Sequence, residues 1–159
     1  MKIATIIVTR SHACHVKTLH TILRFNIACI QAGQVQNEVV FVNDDPYEKS
    51  EKIHTFMKTH DRIFFVDFGI HVDDESLKMV LAKNEGYGAV VFPGVKEGIN
   101  WDTFKKKIRE GSTEPTEQMG LEFDTEVIAK VADDIHTVKS SGAKSWVLMC
   151  KHVLKSIKD

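Results

Sequence analysis

Asp67 ends an apolar run in RIFFVDFGIHVDDESLKMVL, residues 62–81, and a helix-like segment follows within a few positions. A carboxylate at the end of a buried strand has two readings. In an open α/β sheet the carboxyl ends of the strands form the rim where ligands bind, which makes Asp67 a candidate site residue. The same residue type also serves as the polar edge of a turn or as a helix-proximal cap. Two other strand-like runs end in polar groups. Thr9-Arg10-Ser11 supplies a hydroxyl and a guanidinium, and Asn43-Asp44-Asp45 supplies an amide and an acidic pair. Carboxylates and amides hydrogen-bond a base or ribose, and a hard divalent cation bridges a carboxylate to phosphates. Neither G-x-G-x-x-G nor G-x-x-x-x-G-K-[ST] occurs, so phosphate charge falls to a metal or to Arg10.

Positioning these groups on one edge requires parallel strands. KIATIIVT (2–9) is rich in β-branched residues and reads as a first buried strand. Val16, Leu19, Ile22, Leu23, Ile27 and Ile30 recur at spacings of three and four, marking an apolar helix face that Gly33 terminates. EVVFVN (38–43) reads as a second strand. Pro46, with an acidic residue before it, opens a second helix that carries Ile53, Phe56 and Met57 inward. RIFFVDF is the third strand, ESLKMVLAKNE the third helix with its end at Gly86, and GAVVFPGV (88–95) the fourth strand. Strands separated by helical patterns indicate βαβ units, hence a three-layer α/β/α sandwich with a mostly parallel sheet. After residue 95 the rhythm breaks. A charged helix and polar loop, NWDTFKKKIREGSTEPTEQMG, precede LEFDTEVIAKV, a strand at its start, and KSWVLMCKHVLKSIKD, an apolar run with an amphipathic tail. No repeat or linker divides residues 1–159, which predicts a single domain.

Composition narrows the function classes. The chain has 159 residues, 43% hydrophobic and 27% charged, which is ordinary for a folded domain and argues against disorder. A formal net charge of -1 gives no attraction for nucleic acid or an anionic membrane. No apolar stretch reaches the roughly 18 residues of a membrane span, and the N-terminal run lacks the features of a signal peptide. Cys14, Cys29 and Cys150 are too scattered for a disulfide framework and fit a reducing compartment, so a cytoplasmic location is expected. The cluster His12-x-Cys14-His15 lacks the second ligand pair that structural zinc requires. Trp101 and Trp146 read as core or interface anchors before sugar platforms, and Lys105-Lys106-Lys107 as an exposed helix face.

Taken together, the Thr-Arg-Ser and Asn-Asp-Asp strand ends, FFVDFGIHVDDESL, GAVVFPG and SSGAKSWVLMCKHVLKSI resemble the nucleotide-sugar-binding half of GT-A-fold glycosyltransferases. The resemblance implies that Thr9, Arg10 and Asp44 or Asp45 contact the base and ribose of a nucleoside-diphosphate sugar. It places Asp67 at the first carboxylate of the family's Asp-x-Asp motif and puts Gly69 where the second, metal-binding carboxylate would stand. A Mn²⁺ or Mg²⁺ ion would then rest on Asp67 with His71 or Asp73 as substitutes, imidazole suiting Mn²⁺ better. Sugar transfer to an unknown acceptor would need a carboxylate base, for which Asp124 and Glu126 are the late candidates beside an apolar strand. The chain reaches residue 159 without the region that usually binds the acceptor in this class, so a minimal acceptor site or none is expected. The rival reading is a noncatalytic, degenerate transferase fold serving as an interaction or sugar-recognition module, and an oligomer is compatible with either. A receiver-type domain is set aside, because it needs an acidic pair where Thr9-Arg10-Ser11 stands.

Overall fold

The computed structural model describes residues 1–84, 86–132 and 135–158. Its elements run β1 (Lys2–Thr9), α1 (Val16–Ala32), β2 (Gln36–Asn43), α2 (Pro46–Met57), β3 (Arg62–Val66), α3 (Asp74–Leu81), β4 (Ala89–Val91) and α4 (Trp101–Arg109). A 3₁₀ turn at Thr116–Gln118 is followed by β5 (Thr125–Ala132), β6 (Ile135–Ser141), β7 (Ser145–Met149) and α5 (Cys150–Lys158). Two compact units result. One contains Met1–Phe92 and the segment from Lys144 onward, the other Pro93–Ala143.

In the larger unit β1 is buried from Ile3 through Thr9, because it lies inside a five-stranded sheet of order β2-β1-β3-β7-β4. β2 and β3 pair with it in parallel, Ile3 facing Asn37 on one side and Arg62 on the other. β7 is antiparallel to both β3 and β4. The sheet is therefore mixed, where a mostly parallel one was expected. The departure comes from SWVLM, whose continuous apolar character says that it is buried without saying which way it runs.

Side chains alternate between two cores, as the two-residue period of strands demands. Ile3, Ile7, Phe64, Val66 and Val147 pack with Ile22, Phe25 and Cys29 of α1 and with Leu77 and Val80 of α3. Ala4, Ile6, Val8, Ile63 and Phe65 pack with Met57, Ile53 and Phe56 of α2 and with Val153 and Leu154 of α5. The inward face expected for α2 is thus present. α1 is different. It buries Thr18, Thr21, Ile22, Phe25 and Cys29, while Val16, Leu19, Leu23, Ile27 and Ile30 are exposed. Its apolar positions belong to two separate faces, which spacings of three and four alone do not distinguish.

Helix starts are fixed by local chemistry. His15 Nδ1 accepts from Lys17 N at α1, Asp45 Oδ1 accepts from Glu48 N at α2, and Asp73 Oδ1 accepts from Ser76 N at α3. Gly33, at φ 80°, ends α1 with its N–H on Ile30 O. Among the described residues one charged group lies in the interior: Arg62 is 7% exposed and donates Nη1 to Val80 O at 2.5 Å.

The smaller unit holds α4, capped by Asn100 Oδ1 on the N–H groups of Asp102 and Thr103, and the bulged antiparallel hairpin β5–β6. The strand expected at the start of LEFDTEVIAKV begins later, at Thr125, and β6 had no signal because its side chains alternate into no buried face. Among the described residues no helix is long and apolar enough to cross a membrane.

Phe64 is fully buried, with ring contacts to Phe25 at 5.0 Å and Phe92 at 6.4 Å. Phe64→Ala should cost about 3–5 kcal/mol in chemical denaturation. Tyr47→Ala, at a position 87% exposed, should change stability by no more than ~0.5 kcal/mol.

Candidate functional site

The connections around β1 decide where a ligand has room. From β1 the chain crosses through α1 to β2 on one side, then through α2 to β3 on the other side. α1 and α2 pack on opposite cores, so the winding reverses at β1. The strand ends part there, and this switch point is where open α/β sheets take ligands.

Arg10 stands at that point. Its Nε donates to Asp44 Oδ2 at 3.0 Å, and its guanidinium carbon lies 4.8 Å from the Phe68 ring centroid. One side chain therefore joins the ends of all three parallel strands: Asp44 follows β2, and Phe68 follows Asp67 beyond β3. A cation–π contact and a charge-assisted hydrogen bond hold the guanidinium, although 61% of the side chain remains exposed. The backbone turns back immediately afterwards. Arg10 and Ala13 exchange hydrogen bonds of 3.2 and 2.9 Å, and Ser11 and His12 adopt φ of 50° and 59°, the left-handed region required by a tight hairpin turn.

The sequence-predicted residues are not equally free. Thr9 Oγ1 is buried and donates to Val42 O at 3.1 Å, with Asn43 Oδ1 at 3.3 Å. Asp44 uses both oxygens, accepting from Arg10 and, at 2.6 Å, from Lys49 Nζ. Those two bonds, Lys49 first, hold its carboxyl below the usual carboxylate range. Asp45 is the α2 cap. Asp67 accepts from its own neighbour, Phe68 N, through Oδ1 at 2.7 Å, and its backbone N–H donates to Lys144 O at 2.9 Å. His71 lies against α1: its Nε2 is 3.3 Å from Arg24 Nη1, and its ring stacks on His20 at 5.6 Å. Arg24 is also paired with Asp74.

That environment is a poor match for a divalent cation. Asp67 supplies one carboxylate, Gly69 none, and the His71 nitrogen faces a guanidinium. Gly69 has φ 76°, so a side chain there would carry backbone strain as well. Among the described residues no three His, Cys, Asp or Glu side chains cluster as a metal site. Burial raises the thiol of Cys14 and pushes those of Cys29 and Cys150 up to about 11, so the latter two stay protonated near neutral pH.

The two late carboxylates lie in the smaller unit. Asp124 Oδ1 accepts from Gly94 N at 3.0 Å and from Thr125 Oγ1 at 2.9 Å, tying the Pro93-Gly94 segment to the start of the hairpin. Glu126 is exposed on β5 and pairs with Lys139 of β6 at 3.5 Å.

Several site residues had no clear individual signal. An open cleft of about 510 Å³ borders the β1 and β2 ends, lined by Thr9, His12, Cys14, Phe41, Asn43 and Glu48. Glu48 was findable as the fourth residue of Asp45-x-x-Glu48, an N-terminal capping signature; its Oε1 accepts from Asn43 N at 3.2 Å. Phe68 and Lys49 had none, because their roles depend on the crossing of three strands. No family model matches the chain, and no curated protein or solved structure matches it.

The lowered ionisation of Asp44 gives a pH signature. Its pairing stabilises the fold fully above the ordinary Asp range near ~3.9 and loses that contribution as pH falls through the lower folded value. Asp44→Asn should cost no more than about 1 kcal/mol near neutral pH, since the pair is solvent-screened. The denaturation midpoints of wild type and variant should converge in acid; a gap that persisted there would assign the effect to packing.

Proposed function

We propose that this chain binds a nucleoside-diphosphate sugar at the carboxyl ends of β1, β2 and β3, in the manner of the GT-A-fold glycosyltransferases it resembles. The observation that carries the reading is Arg10, held at the switch point by Asp44 and Phe68. A guanidinium held beside an aromatic face suits a diphosphate next to a stacked or packed base. Thr9, Asn43 and Glu48 border the adjoining cleft, where amide and carboxylate groups suit ribose hydroxyls. Asp67, with Oδ1 engaged by Phe68 N, has its other oxygen to offer to ribose or sugar. The reading takes the larger unit as a three-layer α/β/α sandwich. Support comes from α1 and α3 on one core and α2 and α5 on the other.

A second reading keeps the binding and drops the transfer. It is favoured by the same donor set: one carboxylate at Asp67, none at Gly69, and Asp124 and Glu126 each committed to a partner. The chain is then a recognition module on a transferase-like frame.

Calorimetric titration with UDP, GDP and their sugars, with and without Mn²⁺, tests both. Saturable binding is expected, weakened at least tenfold, or about 1.4 kcal/mol, by Arg10→Ala and by Asp67→Ala, and insensitive to Mn²⁺. No heat with any nucleotide on folded protein would sink both readings. Where binding is present, release of free nucleoside diphosphate from the sugar donor separates transferase from recognition module.

A further inference from the structure

Among the described residues, the second apolar face of α1 is left exposed. Val16 is 77% exposed, Leu19 47%, Leu23 54%, Ile27 55% and Ile30 79%, and Phe41 on the neighbouring strand β2 is 55% exposed. Full burial of an aliphatic side chain removes roughly 60–120 Å² from water and of Phe roughly 150 Å² or more, so these fractions leave on the order of 400 Å² of apolar surface. That approaches the apolar share of a standard interface, roughly 450 Å² of about 800 Å² per partner.

The direction of this stripe follows from contacts elsewhere on α1. Thr18, Thr21 and Arg24 reach Ile70, Val72 and His71, on the α3 side. Asn26 reaches Asn37 of β2, on the opposite side. Leu23 and Ile30 are three and four residues from Asn26, and Leu19 is seven, about two turns, so these three share the side of α1 that turns away from α3 and toward the β2 edge.

β2 is itself an open edge. Gln36 N donates to Met1 O and Asp44 N to Thr9 O, so the even-numbered residues of β2 bond to β1. The N–H and C=O groups of Asn37, Val39 and Phe41 therefore point outward. Glu48 covers the outward N–H of Asn43 at its end, but among the described residues nothing blunts the rest of this edge: QNEVVFVN has no proline, and its one charge, Glu38, is bonded by His60.

We infer that the occupant is a second copy of this chain, joined through antiparallel β2–β2 pairing on a two-fold axis at Val39. Two-fold symmetry requires a patch that complements itself, and this one does. Val39 faces its own counterpart, Asn37 faces Phe41 of the other copy, and each pair exchanges both backbone hydrogen bonds. The α1 stripes lie on the same face of the extended sheet and close over the axis. Phe41 also lines the cleft at the strand ends, so the pairing sets the second copy's Asn37 beside that cleft.

The test combines light scattering with cross-linking. Wild type should have twice the mass of one chain, and Leu19→Glu combined with Leu23→Glu should halve it. Both positions are exposed, so circular dichroism and cooperative melting should show an unchanged fold. Independently, Val39→Cys in a Cys14→Ser background should form a symmetric cross-link by oxidation or a short bis-maleimide, since paired Cα atoms on the axis lie ~5.5 Å apart. A monomeric wild type, a dimer indifferent to the two glutamates, or a dimer without the Val39→Cys cross-link overturns the assignment. Should the double variant not fold, wild-type mass and the cross-link decide between the outcomes.

Discussion

The larger unit depends on the pairing of β1 with a parallel strand on each side. Once IATIIVT is buried on both faces, both neighbours must be reached by crossovers, and right-handed crossovers to opposite sides put α1 and α2 on opposite faces. The same constraint gathers the carboxyl ends of three strands on one rim. Arg10, Asp44 and Phe68 are neighbours because of this winding, although they come from widely separated segments. Their convergence would be lost by any register slip, since a one-residue shift would exchange the two cores.

The rim is held by its own polar groups. Asp44 bonds Arg10 and Lys49, Asp45 caps α2, Glu48 bonds the Asn43 N–H, and Asp67 bonds the Phe68 N–H. Such bonds preorganise a site, because a side chain already fixed loses less entropy when a ligand arrives. They also limit chemistry. A carboxylate with both oxygens engaged is a weak proton acceptor and a weak ligand for a cation. Asp44 is in that position, and Asp67 is the less encumbered of the two. The fold and the proposed ligand therefore compete for the same acidic residues, which is why Asp67 carries more of the proposal than the acidic pair does.

How much of this was legible in the sequence depends on the range of the interactions. The first three strands, their helices and the caps at Asp45 and Gly33 follow from local periodicity and turn chemistry, and they are present, although α3 stops at Leu81, short of the end expected at Gly86. The direction of β7 was not legible, because WVLM is a continuous apolar run and pairs with strands far away in sequence. Nor was β6, which has no buried face to impose alternation. At the rim, Thr9, Arg10, Asp44 and Asp67 were identifiable from their places at strand ends. Phe68 under Arg10 was not, since a stacked cation requires the crossing of elements and leaves no spacing signal.

α1 shows the same limit and leads furthest. Its sequence contains one set of apolar positions that meets the sheet and another that stays exposed among the described residues, and a single amphipathic pattern conceals both. Stability of the isolated unit does not account for the second set, since exposed aliphatic side chains contribute little to a monomer's folding. Scattered surface apolar residues need no explanation, but five on one stripe beside an unprotected eight-residue edge strand form a continuous surface. An edge of that length invites strand pairing, and a chain that leaves it open either aggregates or pairs in a defined way. Two-fold closure consumes the edge and the stripe together and leaves no repeat to propagate. The apolar residues of α1 and the open edge of β2 thus have one common explanation, separate from the site proposed at the rim yet ending beside it at Phe41.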